Sequence, residues 1–206
     1  MAKTLVGLLQ RHGDTEANEA NVFRSRLDPP LNNEGIKQAE AAAKSIAKMK
    51  GMKIKKIVSS PMLRALQTAD IISEELGLKT VQDRGLISWN LGFLTGMDKD
   101  KYKDVLDLYI DNPKVPVPDG ESLDDLETRL EEFMDEELRT EGTIYVTHNS
   151  NCVTIENLIR GNKDGRPESG EKSVEPGGTI GIYVDDNGTY STEVLFGVED
   201  KAAFVS

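Results

Sequence analysis

The order of apolar and polar positions divides the chain into short buried runs and longer amphipathic ones. Residues 4–9 (TLVGLL) are a continuous apolar run, too short for a helix and suited to a buried strand. The run leads into Gln10-Arg11-His12-Gly13-Asp14-Thr15, where Gly13 permits a sharp turn. Over residues 33–50, Ile36, Ala39, Ala43, Ile46 and Met49 share one face. This spacing predicts an amphipathic helix with Asn32 or Asn33 as its N-cap and Gly51 as its stop. Residues 54–58 predict a second strand, and Ser59-Ser60-Pro61 opens a second helix with Pro61 near its first turn. Leu63, Leu66, Ile71, Ile72 and Leu76 form the apolar stripe of that helix, and Gly77 ends it.

From Gly92 to Gly120 the chain is charged, with Pro113, Pro116 and Pro118 clustered at the end. A short helix over 99–110 is expected there, as a lid rather than part of the core. Residues 122–138 (SLDDLETRLEEFMDEEL) predict a helix capped by Ser122, with acids in its first turn and Leu123, Leu126, Leu130, Phe133 and Met134 as its stripe. Residues 143–146 predict a buried strand that ends at Thr147-His148-Asn149-Ser150, followed by a helix over about 151–160. A hairpin of 179–184 and 190–196 turns at Asp185-Asp186-Asn187-Gly188. Strands alternating with helices predict an α/β fold, a three-layer α/β/α sandwich with a mostly parallel central sheet. The expectation is a single domain over residues 1–206 with a small helical lid insertion at about 92–120.

Composition narrows the function classes. With 37% hydrophobic residues, the 206-residue chain can bury a substantial core. Twenty-five basic against thirty-six acidic residues leave a net charge of -11, a surface that repels a nucleic-acid backbone. No apolar run approaches the roughly 20 residues of a membrane span, and MAKTLVGLLQRHG lacks the pattern of a secretory leader, so a cytoplasmic location without a membrane partner is expected. The single cysteine, Cys152, cannot form an internal disulfide and reads as a small buried hydrophobe, and two histidines are too few for a His-rich metal site. A homo-oligomeric state is left open.

Those two histidines, His12 and His148, each follow a predicted parallel strand, where open α/β sheets bind ligands. Arg11 beside His12 disfavours the protonated ring, leaving a neutral nucleophilic imidazole. The same guanidinium suits an anion held through bidentate hydrogen bonds. Phosphate is the natural candidate, with a phosphohistidine as covalent intermediate.

Arg11-His12-Gly13-Asp14-Thr15 with Asn18 resembles the RHG(E/D)TxxN signature of the histidine phosphatase superfamily, in its phosphoglycerate-mutase-like branch. Asp28, Pro30-Leu31, Asn32 and Gly35-Ile36-Lys37-Gln38-Ala39 are similar to its DxPLxxxGxxQA segment. Residues 59–69 (SSPMLRALQTA) resemble its SSxLxRAxQTA helix. Gly120-Glu121-Ser122 with Arg129 resembles its GES…R segment, and Val146-Thr147-His148 the strand ending in the second histidine. The resemblance implies that His12 attacks phosphorus while Arg11, Arg64 and His148 surround the equatorial oxygens, where charge develops. It also implies that Asn18 completes the pocket and that Arg24 and Ser25 approach the substrate, Ser25 standing where a Gly is usual. Cationic side chains do the work of a metal, so no metal or other cofactor is expected.

One departure matters. In an E-x-x-x-G-x-x-x-G pattern many members carry the Glu that protonates the leaving oxygen. Gly92 and Gly96 match the glycines here, but the position of the Glu is Ser88, whose hydroxyl cannot act as an acid near neutral pH. Other branches place an Asp directly after the second histidine, where this chain has Asn149. Asp14, Asp83, Asp98 and Glu121 are the candidate substitutes. The reading is a phosphomonoesterase that turns over alkyl phosphates slowly and good leaving groups faster. Its substrate would be a small phosphorylated molecule or a phosphoprotein.

Two alternatives stay open: a phosphoglycerate mutase-type phosphotransferase, and a catalytically weakened phosphate-binding or regulatory protein. Lys99 sits where mutases have a lysine, but the lid has no Arg-Arg pair for a second anion. Residues 181–189 superficially resemble the start of a haloacid-dehalogenase phosphatase, yet Asn187 replaces its acid and the segment lies too near the C-terminus. The same loop has Tyr183 at the first ligand position of an EF-hand, and no P-loop or Rossmann glycine motif occurs.

Overall fold

Side-chain alternation along the strands sorts the core into two layers, one on each face of a single sheet. The computed structural model describes residues 2–137, 140–161 and 173–197. Its strands are β1 (Lys3–Arg11), β2 (Lys56–Ser59), β3 (Thr80–Gln82), β4 (Thr143–Thr147), β5 (Thr179–Asp185) and β6 (Tyr190–Phe196). They lie in the order β3-β2-β4-β1-β5-β6. The first four are mutually parallel, and β5 and β6 close the sheet antiparallel. Leu8, Ile57, Ile144 and Val146 point to one face and pack against α2 (Asn33–Lys48) and α3 (Leu63–Leu76). Leu9, Val58 and Tyr145 point to the other, against α4 (Lys99–Asp111), α5 (Leu123–Glu137) and α6 (Asn149–Ile159). The arrangement is the expected α/β/α sandwich around a mostly parallel sheet. The α1 turn (Glu16–Glu19) lies between β1 and α2.

Several elements depart from the apolar pattern, each for a packing reason. Strand β1 runs two residues past its apolar run, because Gln10 and Arg11 stay paired with β4 and keep buried polar partners. The buried face of α2 is Gly35, Gln38, Ala39, Ala42, Ala43 and Ile46, while Ile36 is 40% exposed. The helix is turned so that Gly35 meets the loop after β1: a Cβ on Gly35 would stand 2.1 Å from the Asp14 carbonyl oxygen. Helix α3 likewise buries Arg64, Ala65, Thr68, Ala69 and Ile72 and exposes Leu63. Small side chains let α3 approach the sheet, and Gly77 ends it in the left-handed conformation.

Strand β3 escapes the pattern because it is three residues long and partly exposed at the sheet edge. The segment expected as a lid also feeds the core: Leu94, Leu106, Ile110 and Val117 are buried within the larger apolar cluster. Helix α4 therefore packs as a core helix along one face. Its start is tied to the loop after α1, with Phe23 N–H donating to Met97 O, Gly96 N–H to Phe23 O and Lys99 N–H to Asn21 O. Helix α5 begins with a reciprocal cap, in which Ser122 Oγ accepts from Asp125 N–H and the Asp125 carboxylate accepts from Ser122 N–H. Positions 138 and 139, where the pattern extends this helix, lie outside the described residues. Among the described residues no helix is long and apolar enough to cross a membrane.

The loop after β1 crosses the start of α2 at close quarters. A Cβ on Gly13 would lie 2.3 Å from the Gly35 carbonyl oxygen, and Asn32 N–H donates to Asp14 O at 3.0 Å. Gly13→Ala is expected to lower stability by about 1–3 kcal/mol, the usual range for forcing a methyl into filled space. Urea denaturation of the variant measures it, and an unchanged midpoint would contradict the crossing.

Candidate functional site

Strand register builds the site. Arg11 of β1 pairs opposite Thr147 of β4, and His12 N–H donates to Thr147 O at 3.0 Å. The residues that follow, His12 and His148, therefore leave the sheet side by side, with ring centroids 5.2 Å apart. On the other side of β4, Ser59 pairs opposite Val146 and Ser60 N–H donates to Val146 O. That pairing sets Ser60 Oγ 2.8 Å from His148 Nε2. The chain then turns into α3 and buries Arg64 against His12, with Arg64 Nε donating to His12 Nε2 at 3.2 Å.

His12 is fully buried, and its Nδ1 lies 2.7 Å from the Gly13 carbonyl oxygen. A carbonyl only accepts, so Nδ1 carries the proton and Nε2 presents the lone pair. Burial holds the ring well below the ordinary histidine value, reinforced by Arg64, Arg24 and Arg11, while the Gly13 bond opposes the shift. His148 is held down in the same direction, by burial first and then by Arg64 and His12. The same crowding acts on the cations. Arg24 is pushed down to about 9 by burial and then by Arg11 and Arg64. Arg64 falls to about 10, again through burial, although Asp28 opposes it from 3.6 Å.

A cavity of about 110 Å³ opens over these groups. Its lining gathers His12, Arg24, Ser25, Arg64, Ser88, Lys99, His148 and Asn149 from the sequence-predicted set, and adds Phe23, Trp89, Leu91 and Ser150. Phe23 and Leu91 carry no local sign of such a role, while Ser150 could have been read from its place in the first turn of α6. Arg11 and Asn18 are not among the lining residues. Arg11 stands behind them, with Nη1 donating to Asn149 Oδ1 at 2.9 Å and to Val174 O at 2.5 Å. Asn18 sits in α1, its amide oxygen accepting from the Thr15 hydroxyl.

Ser25 adopts φ 46°, a left-handed conformation that glycine adopts without strain. Its hydroxyl donates to Trp89 O and accepts from Leu91 N–H, fastening the segment that carries Ser88 onto the Arg24 loop. The four candidate acids are engaged elsewhere. Glu121 Oε2 accepts from Asn90 N–H and pairs with Arg26 and Arg129 at 3.3 Å, lining a separate cavity of about 420 Å³. Asp83 lines that same cavity and caps Gly85. Asp98 caps α4 through Lys101 N–H, and Asp14 accepts from the Gln38 amide. Among the described residues no carboxylate lines the histidine cavity, whereas Ser88 does line it.

The depressed imidazoles couple stability to pH. In the unfolded chain both rings titrate at the ordinary value of 6.5, whereas the folded rings resist protonation. Their contribution to stability is present above pH 6.5 and is lost as pH falls from there toward the folded values. Melting temperature is expected to drop on acidification from roughly pH 7 to pH 5, with a shallower drop in a His12→Gln/His148→Gln double variant. Parallel slopes for the two proteins would contradict the assignment.

Comparison with known proteins places this geometry. Residues 8–168 match the model of the histidine phosphatase superfamily, branch 1. The chain is 32% identical over 167 residues to a 2,3-bisphosphoglycerate-dependent phosphoglycerate mutase of Methylobacterium sp. (strain 4-46), covering 75% of this chain and 80% of the relative. It is also 32% identical over 160 residues to a putative phosphoserine phosphatase 2 of Hydrogenobacter thermophilus, covering 74% of this chain and 77% of the relative. Its fold is similar to that of a mycobacterial glucosyl-3-phosphoglycerate phosphatase in complex with VO3, with TM-score 0.77, 20% identity and coverage of 96% and 100%. It is also similar to a phosphoglycerate mutase of Bacillus anthracis, with TM-score 0.76, 19% identity and coverage of 98% and 97%. With the motifs from Arg11 to His148 in order, and their side chains gathered at one end of the sheet, the chain belongs to branch 1 of the histidine phosphatase superfamily.

Proposed function

We propose that the protein is a phosphomonoester hydrolase that works through a phosphohistidine on His12 and lacks the family's usual proton donor. One observation carries the reading. Beside His12, with ring centroids 5.2 Å apart, the buried His148 Nδ1 has no hydrogen-bond partner among the described residues. Buried polar atoms are normally satisfied, and an anion seated against His12 would pair with Nδ1 as a donor. The relatives named a phosphatase and a mutase both handle phosphoryl groups by name, which supports the same anion.

In the first step the Nε2 lone pair forms the N–P bond while the bond from phosphorus to the ester oxygen breaks. Arg64 exchanges its hydrogen bond to Nε2 for a phosphoryl oxygen, and Arg24 and His148 face the others. The arginine charge is fixed before the reaction and, with the neutral His148 ring as a hydrogen-bonding partner, does the work of a metal. In the second step water attacks phosphorus, the N–P bond returns its electron pair to Nε2, and inorganic phosphate leaves. The ester oxygen departs as an anion, since Ser88 cannot protonate it. General acid catalysis contributes about 10²–10⁴-fold, so alkoxides leave slowly and aryl or acyl oxygens far less so. Phe23, Trp89 and Leu91 form an apolar wall that suits such a leaving group better than the carboxylate of a mutase substrate. The substrate class is a small phosphorylated molecule or a phosphoprotein side chain.

A leaving-group series tests the reading: p-nitrophenyl phosphate, an acyl phosphate and 3-phosphoglycerate, assayed on wild type and His12→Ala. Activity should require His12 and fall steeply as the leaving-group pKa rises. Equal rates across the series would mean that another acid serves, and no His12-dependent turnover would favour a binding protein. Ser88→Glu should raise kcat/KM on 3-phosphoglycerate by about tenfold or more and change p-nitrophenyl phosphate little.

A further inference from the structure

We infer that Ser60 is a positioning residue that fixes the tautomer of His148, so that Nδ1 carries the proton and is offered to the anion in the cavity. The inference rests on the phosphoryl-transfer reading only for the identity of that anion. Ser60 is 0% exposed, so bulk water does not reach its hydroxyl. Its Oγ meets His148 Nε2 at 2.8 Å and receives the Met62 N–H at 3.4 Å. A hydroxyl carries one hydrogen, and His148 Nε2 is the acceptor within its reach among the described residues.

Two arrangements are open to the pair. If Nε2 carries the proton and donates to Oγ, the Ser60 hydrogen has no acceptor and the Nδ1 lone pair has no donor. If Ser60 donates to Nε2, the Ser60 hydrogen and the Nε2 lone pair are paired and Nδ1–H alone lacks a partner. The second leaves one orphan instead of two, and buried polar groups are costly to orphan. It also turns a donor rather than a lone pair toward a cavity that gathers Arg24, Arg64 and Lys99 and therefore attracts negative charge. With Nε2 taken by Ser60, Nδ1 is the polar ring atom His148 has left for an anion. Backbone pairing of β2 with β4 holds Ser60 in place, so the tautomer is set before any ligand arrives.

The chain contains two histidines, so the tautomers can be read directly. Full-length protein labelled with ¹⁵N-histidine would be examined by two-bond ¹H–¹⁵N correlation near neutral pH, with His12→Gln assigning the signals. His148 in wild type should be the Nδ1–H form, and inorganic phosphate should shift that nitrogen. Ser60→Ala should move His148 toward the Nε2–H form and weaken phosphate binding about tenfold, the effect of one charge-assisted hydrogen bond. Ser60→Thr, which keeps the hydroxyl, should restore both readouts, and kcat/KM on p-nitrophenyl phosphate should follow the tautomer across the three proteins. An Nε2–H form in wild type, or a tautomer unchanged in Ser60→Ala, overturns the inference. A tautomer switch with phosphate shifts in a protein that hydrolyses nothing would uphold it while removing the phosphatase reading.

Discussion

The pairing of β1 with β4 is the constraint on which the site depends. Because Arg11 stands opposite Thr147, the next residue of each strand is a histidine, and the two rings emerge together at the carboxyl edge of the sheet. A slip of one residue would turn every side chain of β1 to the opposite face and separate the rings. The burial pattern resists that slip, since Leu8 belongs to the layer under α2 and α3 and Leu9 to the opposite one. Pairing of β2 with β4 extends the same logic to Ser60 and, one helical turn later, to Arg64. Four polar side chains are thus delivered to one point by backbone hydrogen bonds rather than by their own attraction.

Their attraction would not suffice, because the assembly is electrostatically adverse. Arg11, Arg24 and Arg64 crowd two buried imidazoles, and the lowered values of all five groups record the cost of removing them from water. Backbone carbonyls offset part of it: Leu27 and Ser25 accept from Arg64, and Val174 from Arg11. What the carbonyls do not satisfy is a net positive potential aimed at the cavity. Such strain belongs to functional sites, where the surrounding fold bears it and the ligand relieves it.

The loop that carries Ser88 is fastened with equal care. Ser25 ties it to the Arg24 segment, and Arg129 donates to the carbonyls of Gly85 and Ile87. The close crossing of Gly92 and Gly120 closes its far side. Glu121 is consumed in this scaffold, joining Arg26, Arg129 and Asn90 N–H. A carboxylate so committed is a strut, and Glu121 lines a cavity other than the one over His12. The cavity over His12 is lined instead by two imidazoles and the cations Arg24, Arg64 and Lys99.

The sequence by itself determined the elements whose signal is local and the motifs that are contiguous. Hydrophobic runs located β1, β2 and β4, the caps Asn32 and Ser122 marked helix starts, and Gly77 marked a helix end. Arg11-His12-Gly13 and the segment 59–69 carried most of the site's identity, because residues next to a strand end inherit its position. The tertiary structure alone decided which helix faces are buried. Ile36 and Leu63 are apolar yet exposed, because Gly35 and the small residues around Arg64 permit closer packing than bulk would. It alone showed that α4 joins the core and that the candidate carboxylates are engaged away from the cavity. It alone aligned Ser60 with His148, 88 residues apart. Local propensity fixes where a chain bends and pairs, but which polar atoms finally meet depends on register and close packing, and those are properties of the whole sheet.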